Sequence, residues 1–377
     1  METVGDLIMK QAKSPMQQEK LGFVIGNMSH SGGTERVLSI LANGLAKRGH
    51  RVVIISMWGE KETVFPCADA IKRYRLSKEY PKGIKGNLKN VISLYQIVKK
   101  EGITLLIDVD LILTFYSLPL KIAMPGLKRI SWEHFNYYYQ FRKNNRIRRA
   151  AMRLAAAFSD VVLVLSKEDQ KYYQDNLKIC GRLCQIYNPN TYEEVVVQRP
   201  KEKLVFAAGR LTRAKGFDYL LKSWKLLEKD FPEWKLCIAG QGEEEAALLS
   251  LKEQLDLKGV EFIGNVEQIE AYYEKAAFFV LPSRNEGFGM VLIEAMAYEN
   301  PVVSFSCKAG PKDIVTDGKD GFLVKTGDYK SFAARMGRLM ENGELRERMG
   351  RKAKESTKRF QVEKILDQWE ELLGTLK

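Results

Sequence analysis

Apolar residues in this chain fall into short continuous runs separated by polar, glycine-punctuated stretches. Leu21 to Gly26 (LGFVIG) is one run and Arg51 to Met57 (RVVIISM) is the next. Between them, apolar Val37, Leu38, Leu41 and Leu45 recur at helical spacing, which predicts a helix from about Thr34 to Arg48, ended by Gly49. Strand, polar loop, helix and strand form a unit that begins a parallel sheet. Further strands are predicted at Ile103–Asp108, Lys128–Trp132 and Asp160–Ser166, the last followed by a polar helix from Lys167. Ile186–Asn190 starts apolar and turns into Asn-Pro, and the irregular polar run to Lys203 reads as a domain boundary.

The alternation then restarts. Leu204–Ala208 is a predicted strand, Phe217–Lys229 a helix and Trp234–Ala239 a strand, and GQGEEE opens another helix. Val260–Ile263, Phe278–Pro282, the run PVVSF from Pro301 and Gly321–Val324 supply more strands. Asp328–Lys377 is helical in pattern, with a break at Phe360 and a final helix from about Val362. Both halves read as doubly wound α/β units. Ligands of such sheets bind where strands end and glycine loops gather, so the cleft between the halves is the expected site.

Length and composition sharpen this picture. A chain of 377 residues with 45% hydrophobic and 28% charged content fits a globular protein of two domains. No run is apolar enough to cross a bilayer. The N-terminus lacks an apolar leader core, so residues 1–20 are expected to be a flexible extension and the cytoplasm the compartment. The five cysteines are scattered without a CxxC and the three histidines lie far apart, so no zinc-site spacing is present. A formal charge of +13 favours an anionic partner: nucleic acid, a membrane surface or a polyphosphate ligand.

Several stretches could carry chemistry. In LPSRNEGFGMVLIEAMAYENPVV, Gly287 and Gly289 bracket Phe288 in a loop between a strand and a helix. Glu286 lies in that loop, and Glu294 lies in the helix among Ile293, Ala295, Met296 and Ala297. A carboxylate in packed surroundings needs several donors, and two ribose hydroxyls would serve; a solvated helix face is the plain alternative. The loop Gly209–Gly216 places Arg210 after a strand and Lys215 before a helix start, a fit for a diphosphate or else a solvated basic turn. Gly32 and Gly33 sit at a strand-to-helix turn, open to an anion or simply a tight turn with a Thr34 cap. His134 follows a strand, where it can bond a sugar hydroxyl or shuttle a proton, or else be simply a packed or surface residue. Asp108 and Asp110 lack a third ligand and are discounted as a metal site. Arg142, Lys143, Arg146, Arg148, Arg149 and Arg153 fall in one predicted helix after a tyrosine cluster, as on an interfacial membrane helix, a nucleic-acid surface or a solvated helix.

The segments GGTER, EHFN, GRLTRAKG, GQGEEE, FIGNVEQIEAYYEKA, LPSRNEGFGMVLIEAMA and GPKDIVTDGKDGFLV occur in this order. On them the chain resembles the retaining GT-B glycosyltransferases of family 4, over essentially Leu21 to the C-terminus and most strongly in the second half. The resemblance implies two Rossmann-like doubly wound domains facing across a cleft. Residues 21–195 would form an acceptor-binding domain and 196–360 a nucleotide-sugar domain, with 361–377 a helix crossing back to the first. It implies that Arg210 and Lys215 grip the donor diphosphate, Glu294 binds the ribose and Glu286 contacts the donor sugar. His134 would touch that sugar, Asn265 and Val266 would lie beside the base, and Gly33, Gly287, Phe288 and Gly289 would help seat sugar and phosphate. A metal-independent hexosyltransferase without a cofactor is implied. Its donor would be a UDP-sugar, with GDP-sugars next, and its acceptor a glycan or lipid-linked glycan of the cell surface. Arg142, Lys143, Arg146 and Arg149 are expected at an anionic membrane surface, with no nucleic-acid partner. A non-transferring, epimerase-like enzyme of the same architecture is the alternative, and a basic nucleic-acid-binding protein is the more remote one.

Overall fold

A computed structural model describes residues 19–60, 62–141, 145–198 and 200–376. The extension expected at 1–20 therefore falls almost wholly outside the described residues, as do Arg142 and Lys143. The chain runs β1 (Lys20–Ile25), α1 (Gly33–Lys47), β2 (Arg51–Ser56), β3 (Lys72–Arg75), α2 (Gly83–Glu101), β4 (Leu105–Val109), α3 (Thr114–Ala123), β5 (Lys128–Trp132) and α4 (Arg146–Phe158). It continues through β6 (Val161–Val164), α5 (Lys167–Asn176), β7 (Arg182–Gln185), β8 (Leu204–Ala208), α6 (Phe217–Lys225), β9 (Lys235–Ala239), α7 (Glu245–Gln254), β10 (Val260–Gly264) and α8 (Glu270–Lys275). β11 (Phe278–Leu281), α9 (Met290–Ala297), β12 (Val302–Phe305), α10 (Pro311–Ile314), β13 (Gly321–Val324), α11 (Tyr329–Glu341), α12 (Gly343–Thr357) and α13 (Val362–Gly374) complete it.

Two parallel sheets result, ordered β3-β2-β1-β4-β5-β6-β7 and β10-β9-β8-β11-β12-β13. Helices cover both faces of such sheets, which is why β6, β8 and β11 read as unbroken apolar runs rather than alternating ones. Each sheet reverses its winding once, between β1 and β4 and between β8 and β11. The loops after β1 and β8, which hold Gly32–Gly33 and Gly209–Gly216, therefore open at the two points where such sheets leave a crevice.

The hydrophobic pattern did not reveal β3, α2 or α3. β3 (KRYR) is a polar edge strand with no core face to set an alternation. α2 carries apolar residues both toward the sheet and toward solvent, which blurs its period. α3 contains Pro119, a residue that reads as a breaker. The last strand of the first sheet is Arg182–Gln185, just before the apolar run read at Ile186. The predicted basic helix begins at Arg146 and runs on to Phe158.

The final helix, α13, packs on α1 of the first domain. Leu366 lies so close to Gly44 that a Cβ there would come within 2.5 Å of it. Trp369 sits against Trp132 (ring centroids 5.1 Å) and Phe23 (6.4 Å). Arg48 reaches Glu363 (2.6 Å) and Asp367 (2.8 Å), and His50 Nε2 lies 3.0 Å from Glu370. Asp108 is bound into the core of the first sheet by Arg129 (3.0 Å) and Ser117 (2.6 Å), with both charged side chains fully buried.

Candidate active site

The facing sheet ends enclose a cavity of about 990 Å3. Gly32, Gly33 and Arg36 line it from the first domain, and Arg210, Asn265, Val266 and Glu294 from the second. Met290 and Val291, the first residues of α9, line it too. The N-cap of α1 is Gly32 with no side-chain cap, so Thr34 does not play the capping part that a plain tight turn would assign it. The N-cap of α9 is Gly289, at φ 105°, a left-handed conformation that favours glycine, and it too lacks a side-chain cap. Two helices thus bring the positive ends of their dipoles to one cavity, an arrangement suited to an anion.

Glu294 is buried, 4% exposed, so it is not on a solvated helix face. Its Oε1 accepts from Arg36 Nη1 (3.2 Å) and Thr191 Oγ1 (3.1 Å), and its Oε2 from the Tyr273 hydroxyl (3.0 Å). These donors offset the desolvation that the packed neighbours impose. Burial and the adjacent Glu294 carboxylate push the Tyr273 hydroxyl well above the usual phenol pKa, so it stays a donor. A carboxylate offers about four lone-pair directions, so Glu294 keeps room for a further donor from the cavity.

Beyond the cavity, the loop after β8 meets the loop after β11. Lys215 Nζ lies 2.7 Å from Glu286 Oε1, and Ser283 Oγ donates to the same oxygen at 2.6 Å. Gly216, at φ 68°, permits this approach, since a Cβ there would stand 2.1 Å from the Pro282 carbonyl oxygen. Arg210 differs: its side chain is 77% exposed at the cavity wall, with Glu243 3.9 Å away. One cation is therefore held in place and the other is left free to adjust.

The His134 backbone is brought against Gly287 from the other domain, although neither His134 nor Glu286 lines the cavity itself. A Cβ on Gly287 would be 2.1 Å from the His134 carbonyl oxygen, so only glycine allows the two loops to touch. Asn136 Nδ2 bridges the same seam, donating to the Glu286 carbonyl (2.6 Å), Asn285 Oδ1 (2.9 Å) and the Lys308 carbonyl (3.2 Å). Phe288 turns away into packing with Tyr187 and Phe360. The His134 ring lies 4.2 Å from that of Trp132, and its Nε2 is buried without a hydrogen-bond partner among the described residues. Burial pushes its pKa down to about 3, so the imidazole is neutral. Gly287→Ala is expected to force this seam apart and cost about 1–3 kcal/mol through overpacking. A lowered thermal midpoint with intact secondary structure checks it.

Behind His134, Arg148 bonds both oxygens of Asp110 (2.6 and 3.0 Å) and lies 4.5 Å over the Phe135 ring. Arg148 thus leaves the basic surface predicted for α4, drawn inward by Asp110 and by Glu133, 3.8 Å away. Burial, then the nearby Asp110 charge, raise the Glu133 carboxyl pKa to about 8. On α4, Arg146 and Arg153 remain exposed and Arg149 is half-buried.

Arg36, Asn136, Ser283, Thr191 and Tyr273 were not singled out by the sequence reading. Arg36 and Ser283 lie inside motifs quoted for the resemblance, and Asn136 closes EHFN, so those motifs held their signal. Thr191, in a polar linker, carried none.

Two parallel-sheet domains whose glycine loops face one crevice define the GT-B class of fold. The model for glycosyl transferases group 1 matches residues 190–356, and that for glycosyltransferase family 4 matches residues 31–190. The chain is 34% identical over 358 residues to an uncharacterized glycosyltransferase of Haemophilus influenzae, covering 94% of this chain and 100% of that one. It is 31% identical over 369 residues to a Campylobacter jejuni α-1,4-N-acetyl-D-galactosaminyltransferase acting on a diphospho-undecaprenol-linked glycan, covering 95% and 99%. Among solved structures, Staphylococcus aureus TarM, crystallised with UDP, superposes at a TM-score of 0.80 with 15% identity, covering 94% and 99%. Anabaena HepE, crystallised with UDP and glucose, superposes at 0.77 with 19% identity, covering 95% and 100%. This chain belongs to the glycosyltransferases, in the family these two models describe.

Proposed function

We propose that the protein is a retaining hexosyltransferase that moves a sugar from a UDP-sugar to a glycan or lipid-linked acceptor of a cell-surface polysaccharide. The observation that carries this reading is a buried carboxylate in the cavity wall, Glu294, with a lysine–carboxylate pair, Lys215–Glu286, beyond the cavity. Ribose hydroxyls take the remaining acceptor capacity of Glu294, with the base beside Asn265 and Val266. The diphosphate lies between the α1 and α9 N-termini, Gly33 and Arg210. Glu286 and His134 bond the donor sugar, aided by the Gly287–Gly289 backbone.

As the sugar–phosphate bond breaks, negative charge grows on the diphosphate; Lys215 and the helix ends stabilise it without reorganising, and Arg210 adjusts to it. The departing phosphate takes the acceptor proton while the acceptor attacks the same face of the sugar. This charge set supports a transfer that needs no metal, and an unchanged rate in chelator checks that. The UDP complexes of TarM and HepE and the undecaprenol-linked substrate named for the Campylobacter relative support the donor and acceptor classes. The membrane carrying such an acceptor is read as a partner surface, met by Arg146 and Arg149. No helix among the described residues is long and apolar enough to cross a membrane.

A thermal-shift panel tests the reading. UDP and UDP-hexoses are expected to raise the unfolding midpoint, since a ligand at a hundredfold its Kd adds about 2.7 kcal/mol. Absence of any response to nucleotide diphosphates or their sugars overturns it. A pH–rate profile tests His134. A His that ordinarily titrates near 6.5 but is held down to about 3 stays neutral through the working range. His134→Gln is expected to slow transfer while leaving the acid limb of the profile in place; a shifted limb would show that imidazolium is the working form.

A further inference from the structure

Helix α2 presents an apolar face that neither the fold nor the crevice uses. Its inner side, Asn90, Leu94 and Val98, is buried. The same spacing recurs on the outer side with Ile84, Leu88 and Ile92, which are 86%, 56% and 51% exposed. A helix on the surface of a globular domain places polar residues there. Exposed Lys82, Lys85 and Lys89 run along this ridge. The one acid of α2, Glu101, is at the far end, buried and held by Lys72 (2.8 Å) and Tyr74 (2.6 Å). Exposed Glu79 precedes the helix but stands beside Lys78, so the local charge remains positive.

We propose that α2 is the segment by which this chain docks on an anionic lipid bilayer. Ile84, Leu88 and Ile92 enter the boundary between headgroups and acyl chains, while the three lysines bend back to lipid phosphates. The charge pattern selects this occupant: an aliphatic ridge edged by lysines matches a surface that is apolar beneath and anionic above. The ridge is also convex, a single helix face rather than a groove, which suits a fluid partner. α2 follows β3 and so begins at the carboxyl end of the first sheet, the end that holds the crevice. Docking there keeps the crevice beside the membrane. The inference rests on the membrane-surface reading above but moves the principal contact from α4 to α2.

Flotation of the full chain with phosphatidylcholine vesicles, with and without phosphatidylglycerol, tests this. Wild type is expected to float only with the anionic vesicles. The combined Ile84→Ser, Leu88→Ser, Ile92→Ser variant is expected to lose at least about tenfold in vesicle binding, since each aliphatic removed forfeits its burial. Lys82→Gln, Lys85→Gln, Lys89→Gln is expected to weaken binding and flatten its salt dependence. Both variants alter only exposed side chains outside the crevice, so their thermal response to UDP should match wild type. A failed nucleotide response in wild type would therefore sink the transferase reading and leave docking standing. Wild type that does not float, or a serine variant that floats equally well, overturns the docking proposal. A wild-type dimer by light scattering that the serine changes dissolve overturns it too, by showing that a second copy covers the ridge.

Discussion

Lys215→Ala is expected to lower kcat/KM for sugar transfer by on the order of a hundredfold or more, the usual loss when a charge-stabilising donor is removed from a transition state. Two effects add. The cation facing the departing diphosphate disappears, and Glu286 loses the ammonium 2.7 Å from its Oε1. Glu286 is then held mainly by Ser283, 2.6 Å away on the same oxygen, and is free to turn from the sugar. Most of the loss should fall on kcat, because the charge Lys215 meets grows as the bond breaks. Arg210→Ala should cost less, since its exposed side chain is not fixed in place. Lys215→Arg should rescue poorly. A Cβ built at Gly209 would already stand 3.6 Å from the lysine stem, and a planar guanidinium is a poor substitute for one compact ammonium. Rates measured with folding checked by circular dichroism decide this. A folded alanine variant with wild-type turnover removes Lys215 from the mechanism.

The second large effect is expected on binding. Glu294→Ala should weaken UDP by roughly tenfold to a hundredfold, matching the loss of hydrogen bonds to a charged acceptor at about 1.5–3 kcal/mol. Calorimetric titration with UDP measures it directly. The substitution also strands donors, because Tyr273, Thr191 and Arg36 all bond this carboxylate. Some fall in thermal midpoint therefore accompanies the loss. Glu294→Gln separates the two, keeping volume and one acceptor oxygen while removing the charge. If glutamine leaves UDP affinity unchanged in a stable protein, ribose recognition lies elsewhere.

Much of the candidate site was legible before any coordinates. Gly209, Arg210, Lys215, Glu286 and Glu294 stand in short segments whose strand, loop and helix character follows from local periodicity, and the structure puts them at the facing sheet ends. Lys215–Glu286 is a pair that two separate motifs supplied without hinting that they touch. Helix α4 shows the opposite case. Its run of arginines read as one basic face, yet Arg148 is turned into the domain by Asp110, which lies on another strand end. α2 was not read from the sequence, and its outward face carries apolar Ile84, Leu88 and Ile92 besides the buried inner ones.

The sequence by itself determined the two α/β halves, the glycine loops and the carboxylate, lysine and arginine positions, because burial of a local strand or helix writes its own spacing into neighbouring residues. Only the tertiary structure decided which groups meet. Arg36 and Glu294 are 258 residues apart, and the His134 carbonyl comes against Gly287 only because that position carries no Cβ. Contacts between distant segments depend on how whole sheets pack, and no local periodicity records that.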